Sequence, residues 1–544
     1  MPDNSARKWW ALVAIAASVL VVGLDLTVLN LALPTIANDL HASTSDLQWF
    51  SDAYSLVLAA AMLPAGLLGD RFGRKKVLLA ALFLFGASSA ACAYAGGTGE
   101  LIAARAVLGI GAAAIFPLSL SVIPVLFAPE ERQKAIALMA SATFISFPIG
   151  PIVGGYLLDH FWWGSVFLIN VPVVALALIA VAFLLPESRS EQRPSVDIVG
   201  VILSSAGLAG LTYGFIKAGQ NGWTNVAALA TIAAGVVVLA VFVAWERRIT
   251  RRAGRVRPLV ELRLFRIAGF TWGTALATLV SFAMFGILFA MPQYFQEVRG
   301  VNALGSGLRL LPMIGGMVIG MIGGTRMASP RQGADGAGAR APLANVKTLV
   351  TVGFTLMAAT LAVGATTSIT SGTGFAAAWF AVFGLGLGLA MPQTMNAALS
   401  ALSAERSGSG SALISALRQA GATIGVAVLG TVLDSVYRGH LAVTHLPATA
   451  AATARNSVVA GVELAHTLHS AALLGSARSA FVTGLDAMLW VCAGIALVSA
   501  VLALIFLPRR AEGTGGTAAP GAGVAAEAGA AAGESDAQRA QLEV

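Results

Sequence analysis

Apolar residues in this chain fall in runs of about 20, the length an α-helix needs to cross the hydrocarbon of a bilayer. Inside hydrocarbon, helix is the only open-chain structure that pairs every backbone N–H and C=O internally. The runs therefore predict an all-α polytopic membrane protein. Composition agrees: 57% of the 544 residues are hydrophobic and 11% are charged, against roughly 25% charged in soluble domains. A soluble globular enzyme is excluded on that ground.

Fourteen spans are predicted, at about 9–33, 47–69, 77–96, 100–125, 135–158, 163–185, 196–216, 225–245, 267–291, 303–325, 348–366, 374–400, 408–436 and 486–508. The 34 Lys and Arg fix the orientation. Of these, 26 sit in the loops and termini of one face and 5 in those of the other, and the positive-inside bias puts the richer face, with both termini, in the cytoplasm. Only Arg105, Arg309 and Arg418 fall within spans. The formal net charge of +8 thus reads as anchorage to anionic lipids, with no nucleic-acid partner. The first apolar run is too long for the core of a cleavable signal. Cys92 and Cys492 lie in separate apolar runs and read as packing residues.

The expected organisation is six plus two plus six helices. Residues 1–190 form one bundle. Residues 191–266 add two helices and a linker holding Arg247, Arg248, Arg251, Arg252, Arg255, Arg257, Arg263 and Arg266, in which PLVELRLF reads as a short helix lying on the membrane. Residues 267–510 form a second bundle. Its outer loop, about 438–480, is too polar to span and too patterned to be a plain linker, and reads as a helical hairpin over the outer mouth. Residues 328–342 read as a flexible Gly/Ala/Arg loop, and 511–544 as a disordered cytoplasmic tail.

Ionisable groups inside spans are costly and mark function. Asp25 lies in LDLTVLNLALP of span one, where Thr27 and Asn30 are candidate hydrogen-bond partners. Asp52 lies in QWFSDAYSL of span two, beside Tyr54, and Arg105 in LIAARAVLGIGAA of span four. Each also reads as a member of a structural ion pair. All six histidines fall outside the predicted spans, so carboxylates are left to carry protons, and burial of a carboxylate favours its protonated form. His466 and His469, three apart, read as solvated surface, so no metal is expected.

GLLGDRFGRKK follows span two. Gly66, Gly69 and Gly73 allow close approach, and an acid, Asp70, stands beside Arg71 and Arg74, the makings of a two-state cytoplasmic latch. SFPIGPIVGGY of span five puts Pro148, Gly150, Pro151, Gly154 and Gly155 within eight positions, which reads as a bend or a sliding contact. Phe282, Met284, Phe285 and Phe289 in span nine, and Met391 in span twelve, offer adaptable apolar surface. The same residues also read as ordinary packing.

Together these segments resemble the major facilitator superfamily, and within it the fourteen-helix drug:proton antiporters, QacA-like in the long outer hairpin. GLLGDRFGRKK is similar to the superfamily's signature loop. LIAARAVLGIGAA resembles its span-four motif, with Leu108 where glutamine is usual. GPIVGG resembles the span-five antiporter motif, with Ser146 where an upstream glycine is usual. LDLTVLNLALP, WGSVFLINVP, GLRLLP and RQAGATIGVAVLG resemble further motifs of the group, over about residues 9–508.

The resemblance implies a monomeric cell-membrane transporter exporting lipophilic cations, such as quaternary ammonium compounds and dyes, and fluoroquinolones. Protons flowing inward would drive it without a cofactor. It implies proton coupling at Asp25, Asp52 and Arg105. It implies cation binding at Asp25 and Asp52, and beside them Tyr54, Asn30, Phe282, Met284, Phe285, Phe289 and Met391 are the candidate substrate contacts read from the residues themselves. Gly66, Asp70, Arg71, Gly73 and Arg74 would form the cytoplasmic gate. Where related exporters carry acids in spans ten and thirteen, this chain has Gly315–Gly316 and Ile414–Ser415, which argues against divalent cations as cargo. Export of an endogenous natural product, nutrient symport and membrane sensing are the rival expectations. GPIVGG argues against symport and the absence of a folded signalling segment against sensing. No GxxxxGK[ST] element is present, so neither ATP-driven transport nor enzyme activity is expected.

Overall fold

The computed structural model describes residues 4–40, 42, 44–188, 197–252, 260, 262–328, 331–332, 339–340, 344–400, 402, 407–443 and 445–508. The predicted tail, most of the loop at 328–342, and Arg255 and Arg257 of the basic linker lie outside them.

Helices run α1 Asn4–Asp39, α2 Thr44–Phe72, α3 Arg74–Ala93, α4 Thr98–Leu126, α5 Pro129–His160, α6 Ser165–Leu168, α7 Asn170–Leu184, α8 Ile198–Asn221 and α9 Val226–Arg252. They continue as α10 Ala268–Gln293, α11 Ala303–Arg309, α12 Leu311–Ala328, α13 Val346–Gly364, α14 Thr373–Leu399, α15 Ser407–His440, α16 Ala448–Asn456, α17 Val458–Thr467 and α18 Ala471–Phe506. Among the described residues, 13 helical segments are long and apolar enough to cross a membrane. The remaining predicted span, 135–158, lies within α5, which carries an acidic and basic first turn and many side chains outside the described set.

Several elements differ from expectation. Span six is broken at Ile169 into α6 and α7. Span ten is broken at Leu310 into α11 and α12, and Asn302 caps the first piece by accepting from Gly305 N–H. Span nine continues past Pro292 through a π-helical turn at Tyr294–Val298. The last span begins at Ala471, well before 486, because Ser470 Oγ accepts from Leu473 N–H and starts the helix there. Of PLVELRLF, the described residues hold a 3-10 turn, Leu262–Arg266, and Pro258, Leu259 and Glu261 lie outside the described residues. In the loop at 328–342, Arg331–Gln332 pairs antiparallel with Ala339–Arg340.

Two groups of helices pack around separate apolar cores. In the first, α1 packs along α5 and α7, and α4 along α2 and α3. Lys8 Nζ meets Glu131 Oε2 at 2.6 Å, fastening α1 to the start of α5. In the second, α14 packs on α12, α13 and α10, and α15 on α10 and α18. The α12–α14 contact is backbone to backbone: a Cβ on Gly316, Gly320, Gly384 or Gly388 would overlap a carbonyl oxygen of the facing helix. Glycine here allows an approach no other residue permits.

The pair α8–α9 leans on α2, where Ser205 Oγ donates to Ala60 O at 2.9 Å. Asp197 holds the pair together. It caps α8 through Gly200 N–H and accepts from Trp245 Nε1 of α9 at 3.0 Å. α16 and α17 form a short hairpin tied to α15, because Tyr437 Oη donates to Ala454 O at 2.9 Å.

The two groups touch in two places. α5 meets α11 at one. At the other, Ala412, Leu413 and Ala416 of α15 share one buried cluster with Leu63, Leu118 and Val122 of α2 and α4.

Candidate functional site

Asp25 sits on α1 and Arg105 on α4, both almost fully buried. Arg105 Nη1 donates to Asp25 Oδ2 at 2.6 Å, and its Nε donates to Phe50 O at 2.9 Å. The guanidinium lies over the Tyr54 ring at 4.4 Å and near the Phe167 ring at 5.9 Å. Asn170, the first residue of α7, donates to Ser89 Oγ at 3.0 Å, and Ser89 Oγ donates to Phe167 O at 2.9 Å. Four elements, α1, α2, α4 and α6, thus converge on one buried ion pair. Burying two charges this way is costly unless geometry and extra hydrogen bonds offset the desolvation, and Phe50 O and the two rings supply them. The Tyr54 hydroxyl is buried, with no hydrogen-bond partner among the described residues.

Thr27 is not a partner of Asp25. Its Oγ1 donates back to Leu24 O at 3.0 Å, as hydroxyls in helix interiors often do. The Asn30 side chain lies outside the described residues. Asp52 is half-buried on α2, close to Trp49, whose ring lies 5.9 Å from Tyr213 of α8.

The Asp70 loop closes on its own group of helices. Arg74 Nη2 and Nε both donate to Asp70 Oδ1, at 2.9 and 3.2 Å, and Nη1 donates to Ser121 O of α4 at 3.0 Å. Gly73 has φ 110, a conformation glycine adopts without strain, and a Cβ there would run into the Glu187 carboxylate. Gly66 is buried, and Arg71 lies over the Phe72 ring at 5.5 Å.

α5 carries its glycines toward α1. A Cβ on Gly150 would overlap Thr27 Oγ1, and one on Gly154 would come 2.9 Å from Val28 Cγ1. Gly155 is buried; the side chains of Pro148 and Pro151 lie outside the described set. In the second group Phe282, Met284 and Met391 are buried in the main apolar cluster, while Phe285 and Phe289 are half-buried on one face of α10.

Several neighbours carry no strong sequence signal. Asn170 and Ser89 look like ordinary polar residues at helix ends or in small-residue stretches, and Phe50 contributes only its backbone. Glu187 and Ser121 are single residues distant from Gly73 and Arg74. A charge inside an apolar run is the one signal that stands out, and it marks Arg418 as well as Arg105. Arg418 Nε lies 3.4 Å from Ser281 Oγ and Nη1 3.8 Å from Met395 Sδ.

Long apolar helices in two packed groups, with an ion pair buried in one and a backbone-packed helix pair in the other, define a polytopic membrane transporter. The description "Major Facilitator Superfamily" matches residues 15–426, and the chain belongs to that family. It is 35% identical over 519 residues to "Tetracenomycin C resistance and export protein" of Streptomyces glaucescens, covering 93% of this chain and 92% of the relative. It is 34% identical over 506 residues to "Multidrug efflux pump LfrA" of Mycolicibacterium smegmatis, covering 91% and 95%. Among solved structures, an inward-facing, unoccupied bacterial homolog of the human lysosomal transporter Spinster matches with a TM-score of 0.59 at 16% identity, over 92% of this chain and 97% of that one.

Proposed function

We propose that the protein exports lipophilic drugs from the cytoplasm in exchange for protons, by alternating access of a central cavity between the two groups of helices. The single observation that carries the reading is the buried Asp25–Arg105 pair, 2.6 Å apart, in a chain related throughout its length to resistance and efflux proteins. A proton arriving on Asp25 discharges the carboxylate and releases Arg105 from its counter-ion. The guanidinium then keeps Phe50 O and the Tyr54 and Phe167 rings but loses its charge partner. Two protonation states therefore prefer two arrangements of α1, α2 and α4, which is what coupling requires. One charge moving through 100 mV supplies about 2.3 kcal/mol.

Asp52, half-buried on α2, is the acid placed to meet a cationic group of the cargo. Phe285 and Phe289 of α10, both half-buried, are the aromatic side chains assigned to the cargo. Tyr54, Phe282, Met284 and Met391 are all buried and serve as packing. Asp70, Arg74 and the Ser121 carbonyl hold the cytoplasmic ends of α2, α3 and α4 as one block that swings during gating. Both termini lie in the cytoplasm of a cell-membrane protein.

Relatedness to a protein of tetracenomycin C resistance and export favours a second reading, in which the cargo is an endogenous natural product and export confers self-resistance. Proton release from purified protein on addition of ethidium, benzalkonium and an aromatic polyketide separates the two. Release with the cations supports drug efflux, and release with the polyketide alone supports self-resistance. No release with any of them rejects proton antiport.

A further inference from the structure

Arg418 stands on α15 in a membrane span, where the two groups of helices meet. Leu417 beside it and Met395, one of its contacts, both pack against the cluster that Leu63, Leu118 and Val122 build in the first group. Ser281 Oγ, its other contact, already donates its proton to Ala277 O. Both contacts of the guanidinium are neutral, and at 3.4 and 3.8 Å both are long for hydrogen bonds. Among the described residues no carboxylate lies within ion-pair distance of it.

The contrast with Arg105 is chemical. Arg105 is sealed and matched by a carboxylate at 2.6 Å. Arg418 is half-buried and presents a planar fork of five N–H donors that its surroundings leave mostly unspent. A guanidinium in a span with no counter-ion among the described residues is expensive, and such residues mark the path of charged cargo. The arrival of an anion removes the cost. The fork lies between Ser281 of α10 and Met395 of α14, and one turn beyond Ser281 on α10 stands half-buried Phe285. An aromatic body fits such a surface.

We propose that Arg418 is the seat for an anionic group of the exported compound, a carboxylate or ionised phenol carried on an aromatic body. The fork matches a carboxylate through two parallel N–H···O bonds, a geometry lysine cannot reproduce. The assignment rests on the export reading for its cargo, and it widens the cargo from cations to aromatic acids.

The test uses full-length protein in nanodiscs, with anthraquinone-2-carboxylate and its methyl ester as probes, so that one charge is the only large difference. Wild-type protein is expected to bind the acid about tenfold tighter than the ester, equivalent to one strong polar interaction. Arg418→Gln is expected to bring the two within roughly twofold by weakening the acid alone, and Arg418→Lys to keep part of the gap. Equal affinities in wild type overturn the proposal. So does a parallel loss for acid and ester in Arg418→Gln, which would make Arg418 a packing residue. Should Arg418→Gln misfold, Arg418→Lys carries the test: an undiminished gap between acid and ester there, or a parallel loss of both, overturns the proposal. Flux in everted vesicles is scored separately. If the acid preference holds while neither probe nor dye moves, the export reading falls and the Arg418 seat stands.

Discussion

Arg105 Nη1 lies 2.6 Å from Asp25 Oδ2, joining α4 to α1 across 80 residues of sequence in a position closed to solvent. Neutralising either side leaves the other charge buried alone, and in soluble proteins that costs roughly 3–5 kcal/mol. Asp25→Asn should therefore abolish substrate-induced proton release and lower the Tm of the purified protein. Pairing it with Arg105→Met should recover a good part of that Tm but none of the proton release. Full proton release by Asp25→Asn would move the coupling to another acid, with Asp52 the first to test.

Asp70→Asn keeps an oxygen for Arg74 but removes the charge that two of its N–H groups address. Transport is expected to fall about tenfold, while equilibrium substrate binding stays within roughly twofold, because charged hydrogen bonds are about twice as strong as neutral ones. Matched flux and binding assays check it. A parallel fall in binding would place Asp70 in the binding site or in folding.

Gly154→Leu drives a side chain into Val28 and Leu31 of α1. Overpacking of this kind costs about 1–3 kcal/mol in well-packed cores, so yield or transport should drop. Gly494→Leu on α18, where a Cβ meets nothing within 4 Å, is the control. Full activity of Gly154→Leu at normal yield would show that α5 and α1 separate freely there.

Gly315 and Gly316 differ sharply. A Cβ at Gly315 meets nothing within 4 Å, whereas one at Gly316 overlaps the Ala381 carbonyl of α14. Gly315→Asp should express as a monodisperse protein and Gly316→Asp should not, by size-exclusion profile. The Gly315→Asp protein is the one in which export of a divalent cation such as paraquat should rise.

Cysteines at Ala450, on α16, and at Arg248, near the end of α9, should label from opposite faces of intact cells, with Ala450→Cys reached from outside. Both native thiols are buried and stay silent. Labelling of the two from one face would refute the orientation.

Much of this was legible in the sequence, for a physical reason. A charge in an apolar run is conspicuous, so Asp25, Asp52 and Arg105 could be singled out one at a time. That Asp25 and Arg105 touch depends on how α1 and α4 are rotated against each other, and hydropathy carries no such phase. For the same reason Thr27, two positions along from Asp25, reads as a partner, although its hydroxyl turns back to Leu24 O. Helix breaks at Ile169 and Leu310 were hidden because both sides of each break are apolar. Phe282, Met284 and Met391 look alike as pocket or core in sequence, and the packing of α10, α14 and α15 buries them.

The bond from Tyr437 to the carbonyl of Ala454 makes the α16–α17 hairpin a handle on a single moving part. Antibody fragments raised against that hairpin would grip the second group of helices without clamping it to the first. They would add mass and a fiducial shape for electron microscopy while leaving the transport cycle free to run.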